Sequence, residues 1–251
     1  MSNNSTGRQS RREQLETQKI DQAQKDRRNK ILYVIAGIVI VGAVVGVLIW
    51  GILSTRTGES NEGQVTPPNA DGKNGIYLAA PIDGVPTFEL FSDYNCHGCR
   101  SAHLTLHAAL EQAVADKKLN VKIVSMSFLT ETSRSAAIAA ACSDFQGIFP
   151  EFHNQLFIAA EDGLTMDEIK TVVPERLNMT TDEIATLHTC FDTSATGSFV
   201  TSQSAYANSQ GVTGTPAMHL DGEDVQGKLF NTKTGTYDPD LLRALIEEAG
   251  Q

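Results

Sequence analysis

The chain has 251 residues, of which 41% are hydrophobic and 20% charged, a balance that excludes wholesale disorder, a collagen-like chain and a multi-span membrane protein. Thirty acidic against 20 basic residues give a formal net charge of -10, which argues against general affinity for nucleic acid, where basic surface must replace counterions. Four cysteines are too few for a small disulfide scaffold, so their spacing carries more information than their number.

The charge is unevenly placed. Residues 1–30 hold eight Lys/Arg against four Asp/Glu, and no charged residue occurs between Lys30 and Arg56. Ile31 to Leu53 is a run of mainly Ile, Val, Leu, Ala and Gly, with Tyr33 near one end and Trp50 near the other. As a helix it would span roughly 34 Å, enough for a hydrocarbon core of about 30 Å. Lys25, Arg27, Arg28 and Lys30 precede it and only Arg56 follows closely. The positive-inside rule then predicts a cytoplasmic tail (1–30), a single transmembrane helix (31–53) and an extracytoplasmic remainder. A cleaved signal peptide is the competing reading. Its apolar core is shorter, and Ser54-Thr55-Arg56-Thr57 is a poor cleavage site. Residues 54–73 are rich in Gly, Ser, Thr, Pro and Asn and read as a flexible tether. The folded part is expected over 74–251.

Within it the pattern alternates. Ile76–Ala80 and Val85–Ser92 read as strands. Cys96 to Lys118 follows at helical period, with Cys99, Ala102, Leu106, Leu110 and Val114 on one stripe. Leu119–Leu129 is the next strand, which makes a β-α-β unit with parallel strands. A helical stretch comes next: Ser133–Phe145, then two capping boxes, Thr165/Glu168 and Thr180/Glu183, and then Gly197–Ser209. Ala217–Leu220 and Lys228–Phe230 read as short strands with a turn at Asp221-Gly222. Asp238-Pro239 caps a final helix with Leu241, Leu242, Leu245 and Ile246 facing inward.

The chemistry concentrates in Cys96-His97-Gly98-Cys99, a C-x-x-C where a strand gives way to a helix. Cys96 belongs at the helix tip, where free N–H groups and the helix dipole favour a thiolate. Cys99 lies one turn deeper and opens the buried stripe. One sulfur is therefore nucleophilic and the other resolving. Zinc is an alternative, with His103 and His107 downstream, but no second cysteine pair or matching ligand pair follows. A plain structural disulfide is another.

Phe91-Ser92-Asp93-Tyr94-Asn95-Cys96-His97-Gly98-Cys99 resembles the F-S-D-Y-x-C-x-x-C segment of DsbA-like extracytoplasmic thiol:disulfide oxidoreductases of the thioredoxin superfamily. Gly211-Val212-Thr213-Gly214-Thr215-Pro216 is similar to the same family's G-V-x-G-T-P segment. The resemblance implies an α/β thioredoxin-like fold with a helical insertion over about 131–208. It implies a cis bond before Pro216, facing the cysteines, with Thr215 and Pro216 shaping a substrate groove. It implies exported proteins with cysteine pairs as substrates and a membrane redox partner, either vitamin K epoxide reductase-like or DsbB-like. No cofactor is needed. His97, when cationic, would favour the Cys96 thiolate.

The chain departs from the family pattern in two places. His97-Gly98 stands where many members have Pro followed by an aromatic or His. Leu90 stands where a buried acid often lies, while Glu89, one place earlier, should face the other side of the strand unless a bulge intervenes. Cys142 shares a helix face with Ile138 and Phe145, and Cys190 shares one with Ile184 and Leu187. Both are expected to point inward and either to form a structural disulfide or to remain free as small hydrophobes. His153, His188 and His219 are scattered and read as structural or surface residues. A non-catalytic tethered binding module and a disulfide reductase or isomerase are the other functional readings.

Overall fold

The computed structural model describes residues 64–250. The expected tail, the membrane span and the first part of the tether therefore lie outside the described residues. Among the described residues no helix is long and apolar enough to cross a membrane.

The centre is a five-stranded sheet. Strands β1 (Ile76–Tyr77), β2 (Thr87–Ser92), β3 (Asn120–Ser125), β4 (Ala217–Leu220) and β5 (Glu223–Asp224) lie in the order β1-β3-β2-β4-β5. Strand β2 is parallel to β3 and antiparallel to β4. The parallel pair needs a crossover, and helix α1 (His97–Ala115) supplies it. The predicted strands over 76–80, 85–92 and 119–129 are each trimmed at their ends, to two, six and six residues.

Strand β2 is buried along almost its whole length because both faces are covered. Phe88 and Leu90 face the larger core with Cys99, Ala102, Leu106 and Leu110 of α1. Phe91 faces a smaller cluster with Val124, Met126, Ala207 and Val212. Helix α8 (Pro239–Ala249) packs on α1 through Leu242, Leu245 and Ile246, but Leu241 is 40% exposed and does not face inward. A helix of this length buries one narrow stripe, and position 241 falls beside it.

The helical insertion runs from α2 (Glu131–Ser143) through α3 (Phe149–Ala159), α4 (Val173–Arg176), α5 (Thr181–Asp192) and α6 (Gly197–Ser209). Helix α3 was not among the elements predicted. Its aromatic-rich sequence has modest helix propensity, although Phe149, Phe152, His153, Leu156 and Phe157 recur at helical spacing and are all buried. Both capping boxes form. The first opens a run that widens into a π turn over Glu168–Val172 before Pro174. Proline has no N–H for the Lys170 carbonyl, and the His188 ring bonds that carbonyl at 2.9 Å instead.

Three further expectations are corrected. The partner of β4 across Asp221-Gly222 is β5, not Lys228–Phe230. Both turn residues have positive φ, which suits a two-residue hairpin. Residues Gln226–Leu229 form a helical turn, α7, and the chain then makes a separate hairpin of β6 (Phe230–Asn231) and β7 (Thr236–Tyr237). Residues 64–73 of the expected tether lie on the domain. Val65 N–H donates to the Ala195 carbonyl, Asn69 donates to both carboxylate oxygens of Asp144, and Lys122 pairs with Asp71. A polar segment can dock largely through its backbone and amides, and composition does not reveal that. Phe145, expected on the inward face with Cys142, is 44% exposed, because the chain tightens into a 3-10 turn after Ser143 and rotates it outward.

Cys142 on α2 and Cys190 on α5 are joined by a disulfide, with Cα atoms 5.9 Å apart and a sequence separation of 48. Replacing both by alanine is expected to lower stability by about 2–4 kcal/mol, since a loop of this length gains entropy when unfolded and unlinked. Urea denaturation of the two proteins measures it. An unchanged midpoint would show that the bridge adds nothing.

Candidate active site

The site is built at the junction of β2 and α1. Ser92 ends the strand, and the chain turns through Asp93, Tyr94 and Asn95 before Cys96 caps the helix in an extended conformation. The turn is held from within. Asp93 is fully buried, and its carboxylate accepts from Asn95 N–H (2.9 Å), Ser133 Oγ (2.7 Å), Phe128 N–H (3.2 Å) and Leu129 N–H (3.3 Å). These bonds tie the loop before the cysteines to the loop after β3 and to the start of α2. Asn95 extends the tie. Its Oδ1 accepts from Leu164 N–H at 2.6 Å and its Nδ2 donates to Thr132 Oγ1 at 3.1 Å.

The helix start puts the two thiols in different surroundings. Cys96 is half-buried, whereas Cys99 is 1% exposed within the core; both are free. Hydrogen bonding by the Cys99 thiol pulls the Cys96 thiol down to about 5. Burial opposes this, while the Cys99 and Gly98 N–H groups and the Thr215 side chain add to it. Burial pushes Cys99 far above the ordinary thiol range, and its bond to Cys96 pushes the same way. At neutral pH Cys96 is a thiolate and Cys99 a thiol.

Thr215 and Pro216 stand opposite, just before β4, and the bond between them is cis. The Cys96 Sγ lies 3.4 Å from the Thr215 carbonyl oxygen, so the protonated thiol can donate to it. Gly98 fits closely against the proline: a Cβ there would meet Pro216 Cδ at 3.1 Å. The sequence segments 96–99 and 215–216 thus converge on one site. His97 is exposed at the first helical position, and the groups that lower the Cys96 thiol are Cys99, Gly98 and Thr215.

Glu89 lies on the opposite face of the sheet from Cys99. Strand β2 runs in unbroken register with both neighbours, so no bulge returns it. It pairs with Lys122 at 2.8 Å and accepts from the Tyr206 hydroxyl at 2.6 Å. Burial lowers the affinity of Lys122 for its proton, but the bonds to Asp71 and Glu89 outweigh that and hold it above the ordinary lysine range. Leu90 fills the position on the cysteine face. His103 is buried on α1 rather than grouped with cysteines, and among the described residues no cluster of three or more His, Cys, Asp or Glu could hold a metal ion.

Sequence reasoning did not assign roles to Asp93 and Asn95. The signal was local: Asp two residues before Asn at a turn favours a side-chain to backbone bond. What it could not show was the partners some 35 to 69 residues away.

The unequal thiols predict unequal labelling. Iodoacetamide should modify Cys96 of the reduced protein with a rate that rises through about pH 5, where its thiol ionises, and should leave Cys99 unmodified. Mass spectrometry reads the site, and equal labelling would contradict the thiol assignment.

A half-buried acidic thiol paired with a buried one, at the start of the crossover helix of a thioredoxin-like sheet, is the arrangement that a thiol–disulfide oxidoreductase requires. The chain belongs to the thioredoxin family: the family model of that description matches residues 83–247. Solved structures agree on the fold. MdbA from Actinomyces oris, a thiol-disulfide oxidoreductase, aligns with a TM-score of 0.62 at 18% identity over 75% of this chain and 98% of its own. Oxidised BdbD from Bacillus subtilis aligns at 0.58, with 18% identity over 74% and 98%. MdbA from Corynebacterium diphtheriae, also a thiol-disulfide oxidoreductase, aligns at 0.57, with 15% identity over 77% and 96%. A search of curated proteins returned no match.

Proposed function

We propose that the protein is a membrane-anchored thiol:disulfide oxidoreductase that oxidises cysteine pairs in exported proteins. The observation that carries the reading is the contrast between Cys96, ionised above about pH 5, and the buried, protonated Cys99. A stabilised Cys96 thiolate stabilises the reduced protein and makes its disulfide oxidising. In the working cycle a substrate thiolate attacks Cys96 Sγ of the Cys96–Cys99 disulfide. The S–S bond breaks, and Cys99 leaves and takes up a proton. A second substrate thiolate attacks the substrate sulfur of the mixed disulfide and expels the Cys96 thiolate. Two electrons have then passed from substrate to enzyme. A membrane partner of vitamin K epoxide reductase-like or DsbB-like type removes them: Cys96 attacks its disulfide and Cys99 resolves the complex. Thr215 and Pro216 flank Cys96 and present backbone to an extended substrate, and His97 stands next to Cys96 at the exposed start of the helix.

The anchor is residues 31–53, with 1–30 cytoplasmic and the catalytic domain outside, on the strength of the uncharged run and the basic flank before it. Protease added to intact cells should remove the domain and spare the tail; protection of the domain would reverse the topology. Direction is tested by supplying the disulfide form with a reduced, unfolded disulfide-containing enzyme and following recovered activity. Recovery supports oxidation. No recovery, with ready reduction of insulin disulfides, would make it a reductase.

A further inference from the structure

A group of histidines lies behind the active-site loop, where helix α1 meets α3, and the exchange reaction does not use it. His103 and His107 of α1 stack with ring centroids 4.5 Å apart, and His153 of α3 meets the His103 ring edge-on at 5.0 Å. Phe157 closes the group, stacked on His103 at 4.6 Å and edge-on to His153 at 5.2 Å. His103 and His153 are both buried. His103 Nε2 is bonded to Asn154 Oδ1 at 2.9 Å, and His153 Nδ1 to the Tyr94 hydroxyl at 2.8 Å. The other nitrogen of His153, Nε2, is buried with no hydrogen-bond partner.

Tyr94 gives this group a path to the site. It is two residues before Cys96, fully enclosed, and packed on Phe157 as well as His153. Its neighbours Asp93 and Asn95 hold the turn, so the hydroxyl of Tyr94 is the link between that turn and the α3 imidazole.

We propose that His103, His107 and His153 form an acid-sensitive latch on the active-site loop: neutral, they seat Tyr94 and the turn that leads to Cys96; protonated, they release it. The inference rests on the reading of Cys96 and Cys99 as the exchange centre and adds a regulation of it. The physical reason is crowding. An imidazolium in this seam would meet a second imidazole in ring contact, with no buried carboxylate to pair with, and a charge so placed is costly. The charged groups around the seam are few. On α1 they are Glu111, 3.2 Å from the outer ring of His107, and Arg100, whose Nε donates to the Phe157 carbonyl. Below Tyr94 is Asp93, already engaged by its hydrogen bonds. On α3 there is Glu151, exposed. Among the other elements packed on α3, Asp144 after α2 is taken by Asn69, and Lys170 of the π turn by Asp192. On the other face of α1, Arg243 and Glu247 of α8 border Ala109 and Ala113, and Tyr237 lies on β7.

The direction of the response follows. Burial lowers His103 to about 4 and lowers His153 well below its usual value. The unfolded or released form, with ordinary histidines near 6.5, binds more protons. The closed seam therefore keeps its full stability above about pH 6.5 and loses it as pH falls towards about 4.

The test uses the full chain with Cys96 and Cys99 oxidised, so that no thiol titrates, and with His97→Gln, so that the loop's own imidazole does not. Histidine ring signals and the backbone amides of Asn95, Gly98 and Cys99 are followed by NMR from about pH 7.5 to about pH 4. These amides are expected to shift reversibly and together with the His103 and His153 rings. Tyr94→Phe should leave the ring titrations in place and lose the coupled shift at Asn95–Cys99. His153→Gln, which still offers the Tyr94 hydroxyl a partner but takes no proton, should move the midpoint to lower pH and serves as the comparison if Tyr94→Phe does not fold. Ring titration without movement at Asn95–Cys99, an undiminished shift in Tyr94→Phe, or an unchanged midpoint in His153→Gln would each overturn the latch. No substrate enters this experiment, so a failure of the exchange reading appears in the oxidation assay and not here.

Discussion

Cys96→Ser is expected to abolish thiol–disulfide exchange, with a loss on the order of 10³-fold or more, because the nucleophile itself is removed. Cys99→Ser should behave differently. Its Cys96 can still attack a substrate disulfide, but nothing inside the protein can resolve the product, so a mixed disulfide should accumulate. Cys99→Ala should trap the same complex and, unlike serine, whose hydroxyl still donates, also removes the main hydrogen bond that lowers Cys96. The pH at which Cys96 ionises should therefore rise above about 5, and its alkylation at mildly acid pH should slow. Non-reducing gels of each variant mixed with a disulfide substrate separate the roles. A trapped complex with Cys96→Ser, or none with Cys99→Ser, would exchange the two assignments.

Asp93→Asn should cost about 3 kcal/mol or more, a large fraction of the stability of a domain this size. The carboxylate accepts from the Asn95, Phe128 and Leu129 N–H groups and from Ser133 Oγ, all as donors converging on two oxygens. An amide presents one acceptor oxygen and turns an NH₂ group against backbone donors that cannot reverse. The loss should appear in two places: a lower urea midpoint, and a Cys96 whose ionisation drifts towards that of a free cysteine as the turn before it loosens. Asp93→Asn with wild-type stability would mean that water or a shifted loop replaces those bonds. The effect should be comparable in size to that of the double alanine at Cys142 and Cys190 but different in origin, since the disulfide constrains mainly the unfolded chain whereas Asp93→Asn leaves buried donors unsatisfied.

Much of the fold and the site can be read along the chain because the signals are local. The apolar strand run of β2, the helical stripe from Cys99 to Leu110 and the Thr180/Glu183 box each involve residues within a few positions of one another, and all appear in the structure. The difference between the two cysteines is also local: it follows from which of them sits at a helix tip and which one turn inside. Long-range pairing is another matter. The aromatic helix α3 is held by burial more than by propensity, and its place against α1 is what brings His153 onto His103 and His107, which lie one turn apart on α1. The docking of residues 64–73 depends on acceptors at Asp144 and Ala195, which no composition reports. Partner choice at β4 was settled by the turn, since the Asp221-Gly222 hairpin closes on the nearest strand before Lys228 is reached. Glu89 shows both sides at once. Alternation along β2 places it on the face away from Cys99, while its burial against Lys122 and Tyr206 exists only because β3 and α6 bring those groups there. A side chain's face is decided by its own strand, but its partners are decided by the chain that packs on that face, and that packing is a property of the whole domain.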